Sequence, residues 1–383
     1  MVKKAGTLFV HGITPVEAGT GAISTPIFQS ATFCHPALGQ STGYDYSRCQ
    51  NPTRRELEMS MALFEHGKYG LAFSSGMGAI STLIKLFQPG DHLIVSEDLY
   101  GGTFRLFNEY YAHYGYIFSW VDTSDFAKIE AATRPETKGL FIETPSNPMM
   151  KVTDIRHCAD FIHRTRGYLI VDNTFLSPYF QNPLDLGADF VVHSGTKYLS
   201  GHNDTLAGII VHSNYEAEEV LRQAQMSEGA TLAPFDAWLT LRGLKTLALR
   251  MGKHEENGKK IAAYLRAHPS VEKVFYTGFD DHPQHALSSY QARGHSGMIS
   301  FYLKKAEYVP KLLASVKLIL FAESLGGVES LITYPLVQTH SAIPEEMRLS
   351  AGVNDRLIRI SCGIEEADDL IEDLEAAIPR QST

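Results

Sequence analysis

The 383-residue chain has only four cysteines, Cys34, Cys49, Cys158 and Cys362, and no two of them form a CxxC pair. That scatter gives neither a zinc site nor a disulfide framework, and it fits a reducing, cytoplasmic setting. Lysine and arginine nowhere cluster and the formal net charge is -9, so there is no electrostatic footprint for nucleic acid or an anionic membrane. No run approaches the roughly 20 apolar residues needed to cross a bilayer. The opening MVKKAGTLFVHG has an apolar stretch too short and too soon interrupted for a signal peptide. Internal repeats and low-complexity segments are missing as well. What remains is 44% hydrophobic and 20% charged, enough for a sizeable core over a length that suggests two compact units. A small molecule is the expected partner.

Three regions differ in pattern. Residues 1–60 carry glycine, proline and aromatics without a helical or strand period until RRELEMSMALFEHG, and read as an arm. Over 61–246 short apolar runs (GLAFSS, DHLIVSED, YIFSWVD, KGLFIETP, YLIVDNTF, DFVVHS, LAGIIVHS) are mostly separated by amphipathic stretches such as GMGAISTLIKLF and DIRHCADFIHRTRG. Continuous apolar strands alternating with helices predict an α/β unit with a mostly parallel sheet covered on both faces. Residues 231–269 read as one long bridging helix with a proline near each end. The remainder, 247–383, predicts a smaller α+β unit with strands VEKVFY, GMISFYLK, VKLILFAES and LIRISC.

In open α/β sheets ligands gather at the carboxyl ends of the strands, which directs attention to the residue that closes each apolar run. GLAFSS runs into Gly76-Met77 at a helix start, where free N–H groups suit an anion. A serine N-cap with glycines for close packing would look the same. YLIVDNTF closes near Asp172, which could equally be a loop cap. DFVVHSGTK closes on Ser194, Thr196 and Lys197, and SEDLYGGTF presents Tyr100, which could simply pack. Together they offer an amine, an acid, an anion site and an aromatic cover, the four partners that pyridoxal 5′-phosphate requires.

The segments HSGTKYLSGHND, VDNTF, ETPSNP, SSGMGAI, DYSRCQNPTR and AESLGGVESLI resemble the Cys/Met-metabolism family of pyridoxal-phosphate enzymes from about residue 20 to the C-terminus. The resemblance implies a fold-type I, aminotransferase-like architecture in homotetramers, dimers of dimers with active sites shared across an interface. It implies a cofactor held covalently on Lys197, Asp172 at the pyridine nitrogen and Tyr100 stacked on the ring. Asn147 stands beside the ring oxygen, and Tyr46 and Arg48 reach the phosphate of the neighbouring subunit. Arg359 takes the substrate α-carboxylate, for which a planar fork suits better than a lysine. Ser324 helps hold the substrate through its backbone. The Asn147–Pro148 bond is a candidate for the cis form.

Three details bear on the reaction. Glu323 resembles the acid of the γ-synthases and γ-lyases, suited to the distal amino group of cysteine or cystathionine. Gly102 stands where methionine γ-lyases carry cysteine. HNDTLAG and FAESLGGVESLITYPLVQTH are similar to bacterial cystathionine γ-synthases and related O-acylhomoserine enzymes. The expectation is γ-replacement on an O-acylhomoserine with cysteine to give cystathionine, with γ-elimination from cystathionine as the alternative. A sulfhydrylase, or an α/β nucleotide-cofactor oxidoreductase using the same strand ends, is more distant; no GxGxxG follows the first strand. The purified protein is expected to be yellow, and Lys197→Ala to lose the visible absorbance. A colourless wild type that takes up no added pyridoxal phosphate contradicts this reading.

Overall fold

The structure, a computed structural model, describes residues 3–14 and 16–380. All seven apolar runs of the large unit are strands: β1 Tyr69–Phe73, β2 His92–Ser96, β3 Ile117–Val121, β4 Thr137–Glu143, β5 Tyr168–Asp172, β6 Phe190–Ser194 and β7 Gly208–His212. They form one sheet in the order β1-β7-β6-β5-β4-β2-β3, in which β7 runs antiparallel to both of its neighbours and the central pairs are parallel. The triplets Leu93–Val95, Leu140–Ile142, Leu169–Val171, Phe190–Val192 and Ile209–Val211 are all at most 1% exposed. Burial on both faces is why these runs are continuously apolar rather than alternating, and each such side chain contributes about 1.5–3 kcal/mol.

A second sheet carries the C-terminal strands: β8 Val271–Phe275, β9 Met298–Leu303, β10 Leu320–Phe321, β11 Leu331–Thr333 and β12 Leu357–Ser361, in the order β10-β11-β12-β9-β8. Leu265, Leu312, Leu370 and Leu374 from three helices close one face of it. The stretch VKLILFAES is strand only at Leu320–Phe321, both exposed, at the sheet edge. No helix among the described residues is long and apolar enough to cross a membrane.

Two helical expectations are corrected. Residues 1–60 are not uniformly irregular: helix α1, Ala5–His11, packs Phe9 edge-on against Phe64 of helix α2, Pro52–Phe64. Helix α2 starts where Asn51 caps the N–H groups of Thr53 and Arg54 with Pro52 in the first turn. The arm between them is tied at its base, since the buried Arg54 guanidinium donates to Ser47 O at 2.7 Å. We propose that the chain divides into an arm, 1–60, an α/β unit, 61–246, and an α+β unit, 247–383.

The long bridge is two helices, Pro234–Leu244 and Leu247–Ala267. At the break the Thr246 N–H and hydroxyl both bond Gly243 O at 3.1 Å, and a buried guanidinium joins them there. Arg250 donates to Gly243 O at 2.8 Å, to Tyr198 O at 2.7 Å and to Leu199 O at 3.3 Å, so one guanidinium ties the last turn of the first helix to the Lys197 loop. A Cβ on Gly243 would lie 2.1 Å from Ser200 O, which makes glycine the residue that permits this approach. The bridging segment thus buttresses the loop that carries the lone lysine.

Candidate active site

At the carboxyl ends of the parallel strands lies a cavity of about 170 Å³. Gly76, Met77, Tyr100, Asn147, Asp172, Ser194, Thr196 and Lys197 all line it, and they arrive from five different strand ends. The alternation of β6 turns Val192 and Ser194 to the cavity and His193 away from it, onto Glu65 at 2.7 Å. Ser75 caps helix α3, Gly76–Leu83, by accepting from Gly78 N at 3.1 Å. The Gly76 and Met77 N–H groups have no acceptor among the described residues and form the positive end of that helix. A Cβ on Gly76 would lie 3.1 Å from Ser194 Cβ, so a side chain there would fill the cradle. The Thr196 hydroxyl already donates to Ala207 O at 3.3 Å and accepts from Ala207 N at 3.1 Å.

Asp172 is 9% exposed and has no cationic side chain within salt-bridge reach among the described residues. Its Oδ1 accepts from Thr174 N at 3.0 Å and from the Thr174 hydroxyl at 2.6 Å. Burial pushes the carboxyl above the usual range, and the two Thr174 bonds oppose that by favouring the anion. In register with it on β4 is Glu143, 5% exposed. Burial first, and the Asp172 charge second, push the Glu143 carboxyl well above its ordinary value. Two acids facing each other out of water oppose each other's ionisation, and the Thr174 bonds favour the charged form of Asp172.

Lys197 Nζ donates to Ser324 Oγ at 2.7 Å. Burial, then the neighbouring Arg359 cation, lowers the amine to about 8, with Glu323 opposing. Ser324 has φ 109°, a strained backbone for a residue with a side chain. Arg359, on β12, is 1% exposed; its Nη1 donates to Asn147 Oδ1 at 2.9 Å and its Nη2 to Ser324 O at 3.0 Å, while Nε has no acceptor. Burial lowers this guanidinium to about 10, so it stays a cation at neutral pH. Asn147 is held in turn by His340 Nε2 on its carbonyl at 3.0 Å, and both Thr144–Pro145 and Asn147–Pro148 are cis. Glu323 lines an outer cleft of about 820 Å³ that adjoins the cavity at Thr196 and Leu206.

Tyr46 and Arg48 are not among the residues around this chain's cavity. Arg48 donates to Met226 O at 2.6 Å and sits 5.6 Å from the centre of the half-exposed Tyr46 ring. Sequence reasoning missed Glu143 and Thr174. Glu143 closes the run KGLFIE and obeys the strand-end rule that selected Asp172; Thr174 stands two residues after that acid, the spacing of an Asx-type turn.

The residues fit pyridoxal phosphate: a buried acid without a cation, a lysine of lowered proton affinity, free N–H groups at a helix start and a half-exposed tyrosine ring converge on one cavity. Comparison with known proteins agrees. The sequence profile of the family described as Cys/Met metabolism PLP-dependent enzyme matches residues 6–379. The chain is 48% identical over 375 residues to cystathionine gamma-lyase of Bacillus subtilis (strain 168), covering 98% of this chain and 99% of that protein. It is 49% identical over 359 residues to cystathionine gamma-synthase/O-acetylhomoserine (thiol)-lyase of the same organism, covering 94% and 92%. A cystathionine beta-lyase of Lactococcus lactis subsp. cremoris (strain MG1363) is 44% identical over 375 residues, covering 98% and 99%. The crystal structure of cystathionine gamma-lyase from Lactobacillus plantarum complexed with L-serine superposes with a TM-score of 0.96 at 45% identity, covering 98% of each chain.

Only the neutral Lys197 amine attacks an aldehyde, which gives a pH dependence of definite sign. Uptake of pyridoxal phosphate by apoprotein, followed by stopped-flow absorbance, is expected to accelerate as pH rises through about 8 and to level off above it. A midpoint at about 10, the value of an ordinary lysine, contradicts the desolvated setting.

Proposed function

The chain belongs to the Cys/Met metabolism PLP-dependent enzymes, and from that premise we propose that it catalyses γ-replacement, joining cysteine to an O-acylhomoserine to give cystathionine. The Cγ–O bond of the acyl ester breaks, the Cγ–S bond forms, and the acyl group leaves as its acid. One observation carries this reading. Glu323 stands on the wall of the outer cleft next to Ser324, whose hydroxyl holds Lys197 Nζ. A carboxylate at that place suits the amino group of a second amino acid whose sulfur approaches from the cleft.

Bound pyridoxal phosphate supplies an aldehyde that condenses with amines and a ring that takes up the electron pair left when a proton departs. The chain supplies the rest. Lys197 Nζ, poised near neutrality, is assigned the proton movements at Cα and Cβ. Arg359, with its Nε free, is assigned the α-carboxylate of the amino acid and thereby fixes which bond faces Lys197. Asp172 is assigned the pyridine nitrogen, Tyr100 the ring face, and Asn147 the ring oxygen. Gly76 and Met77 N–H with Ser194 and Thr196 are assigned the phosphate. Tyr46 and Arg48, which do not line their own cavity, are assigned to that of a neighbouring copy in a homotetramer.

The second reading is γ-elimination of cystathionine, favoured by the 48% identity to a gamma-lyase and by the breadth of the cleft, which admits water. Sulfide in place of cysteine is the related sulfhydrylase reading. The oxidoreductase alternative falls with the family. Holoenzyme is incubated with O-acetyl- or O-succinylhomoserine plus cysteine and, separately, with cystathionine; cystathionine formed and 2-oxobutanoate released are measured. Synthesis is expected to outrun breakdown, and Glu323→Gln to raise KM for cysteine by about tenfold, the loss of one charge-assisted bond. Faster breakdown than synthesis overturns the first reading in favour of the second.

A further inference from the structure

Two buried acids, Glu143 in the wall of the cavity and Asp98 outside its lining, have no assigned role. Asp98 follows β2 in the loop that leads to Tyr100, and Glu143 ends β4 in the loop that leads to Asn147. Strands β2 and β4 are parallel neighbours, so the two loops leave the sheet side by side. Each acid reaches across to the other's loop. Glu143 Oε2 accepts from Tyr100 N at 2.9 Å. Asp98 Oδ2 accepts from Met149 N at 3.2 Å and from the Ser146 hydroxyl, which itself accepts from Lys151 N at 2.9 Å. Asp98 is 3% exposed, and neither acid has a cation within salt-bridge distance among the described residues.

A loop that follows a parallel strand is anchored at its two ends, and a bond back to its own strand cannot fix it against the next loop. Bonds that cross do so, because each loop is then referred to the base of its neighbour. We propose that Asp98 and Glu143 are positioning residues, a crossed pair of acceptors that lock the Tyr100 loop and the Asn147 loop to one another. The spacing they set is that between the Tyr100 ring and the Asn147–Arg359 pair, that is, between the aromatic cover of a cofactor ring and the fork for a carboxylate. This function rests on the roles given above to Tyr100 and Arg359. Burial raises both carboxyls, Asp98 to about 6. A neutral acid still accepts through its carbonyl oxygen, so glutamine can stand in for Glu143, whereas aspartate is one methylene too short.

The test compares full-length wild type, Glu143→Asp, Glu143→Gln and Asp98→Ala by hydrogen exchange with mass spectrometry, alongside pyridoxal phosphate affinity and steady-state kinetics. Glu143→Asp is expected to speed exchange in 97–104, the loop across from it, and to weaken cofactor binding by about threefold to tenfold, the loss of one hydrogen bond. Glu143→Gln is expected to stay at wild-type values in both. Asp98→Ala is expected to loosen 144–150 and to raise KM for the amino acid with less effect on cofactor affinity. Loosening confined to the altered residue's own loop, or a Gln variant as impaired as the Asp variant, overturns the proposal. Crossed loosening with unchanged cofactor affinity and KM upholds the lock and removes the roles given to Tyr100 and Arg359. The Glu143 pair decides the matter alone should Asp98→Ala not fold.

Discussion

A carboxylate kept out of water without a cation constrains this molecule more than any other feature. Asp172 ends strand β5, whose residues Leu169–Val171 are fully buried, and the Thr174 N–H and hydroxyl hold its carboxyl in place. Desolvating an ion costs several kcal/mol unless a partner appears. Around it the chain offers no such partner: Glu143 is another acid, and the cations Arg359 and Lys197 serve Asn147 and Ser324. The fold therefore holds a site whose charge balance is completed by a ligand, one that is cationic opposite Asp172, anionic opposite the start of α3 and electrophilic opposite Lys197. Pyridoxal phosphate is the cofactor of the family to which the chain belongs, and it meets all three demands.

The surroundings then follow from the need to hold that site still. Arg250 bonds the end of the first bridging helix and the carbonyls of Tyr198 and Leu199, fixing the loop of Lys197 from beneath. Arg359 comes from the second sheet and bonds Asn147 in the loop after β4 of the first, so the two units meet at the pair to which we assign a substrate carboxylate. The outer cleft opens on the side of Glu323, where choice of incoming nucleophile is separated from the cofactor chemistry that both candidate reactions share.

Much of this was legible in the residues. The strands of the large sheet are centred on apolar runs, and the rule that ligands gather at strand ends points to Asp172, Lys197, Tyr100 and the Gly76-Met77 turn as candidates, each open to a bland reading until the family resemblance joined them. Arg359 and Ser324 were legible only through family resemblance, since no periodicity tells which residue of a second sheet will face the first. Helix α1 escaped notice because AGTLFVH has one buried residue, Phe9, and no side-chain cap. At the break at Lys245 and Thr246 the Thr246 N–H and hydroxyl both bond Gly243 O, and Arg250 ties the same carbonyl to that of Tyr198, 52 residues from the arginine. Gly243 and Thr246 are the local traces of it; the Arg250 contact is not visible in sequence.

We propose that Asp172 is a buried carboxylate whose charge a cofactor cation balances. Thermal unfolding of Asp172→Asn, with and without pyridoxal phosphate, tests it most directly, because asparagine keeps the Thr174 bonds and removes the charge. The apoprotein is expected to be at least as stable as wild type, while cofactor affinity falls by about a hundredfold and with it most of the cofactor-linked rise in Tm. An apoprotein destabilised by the change, with the cofactor-linked rise intact, would contradict the account.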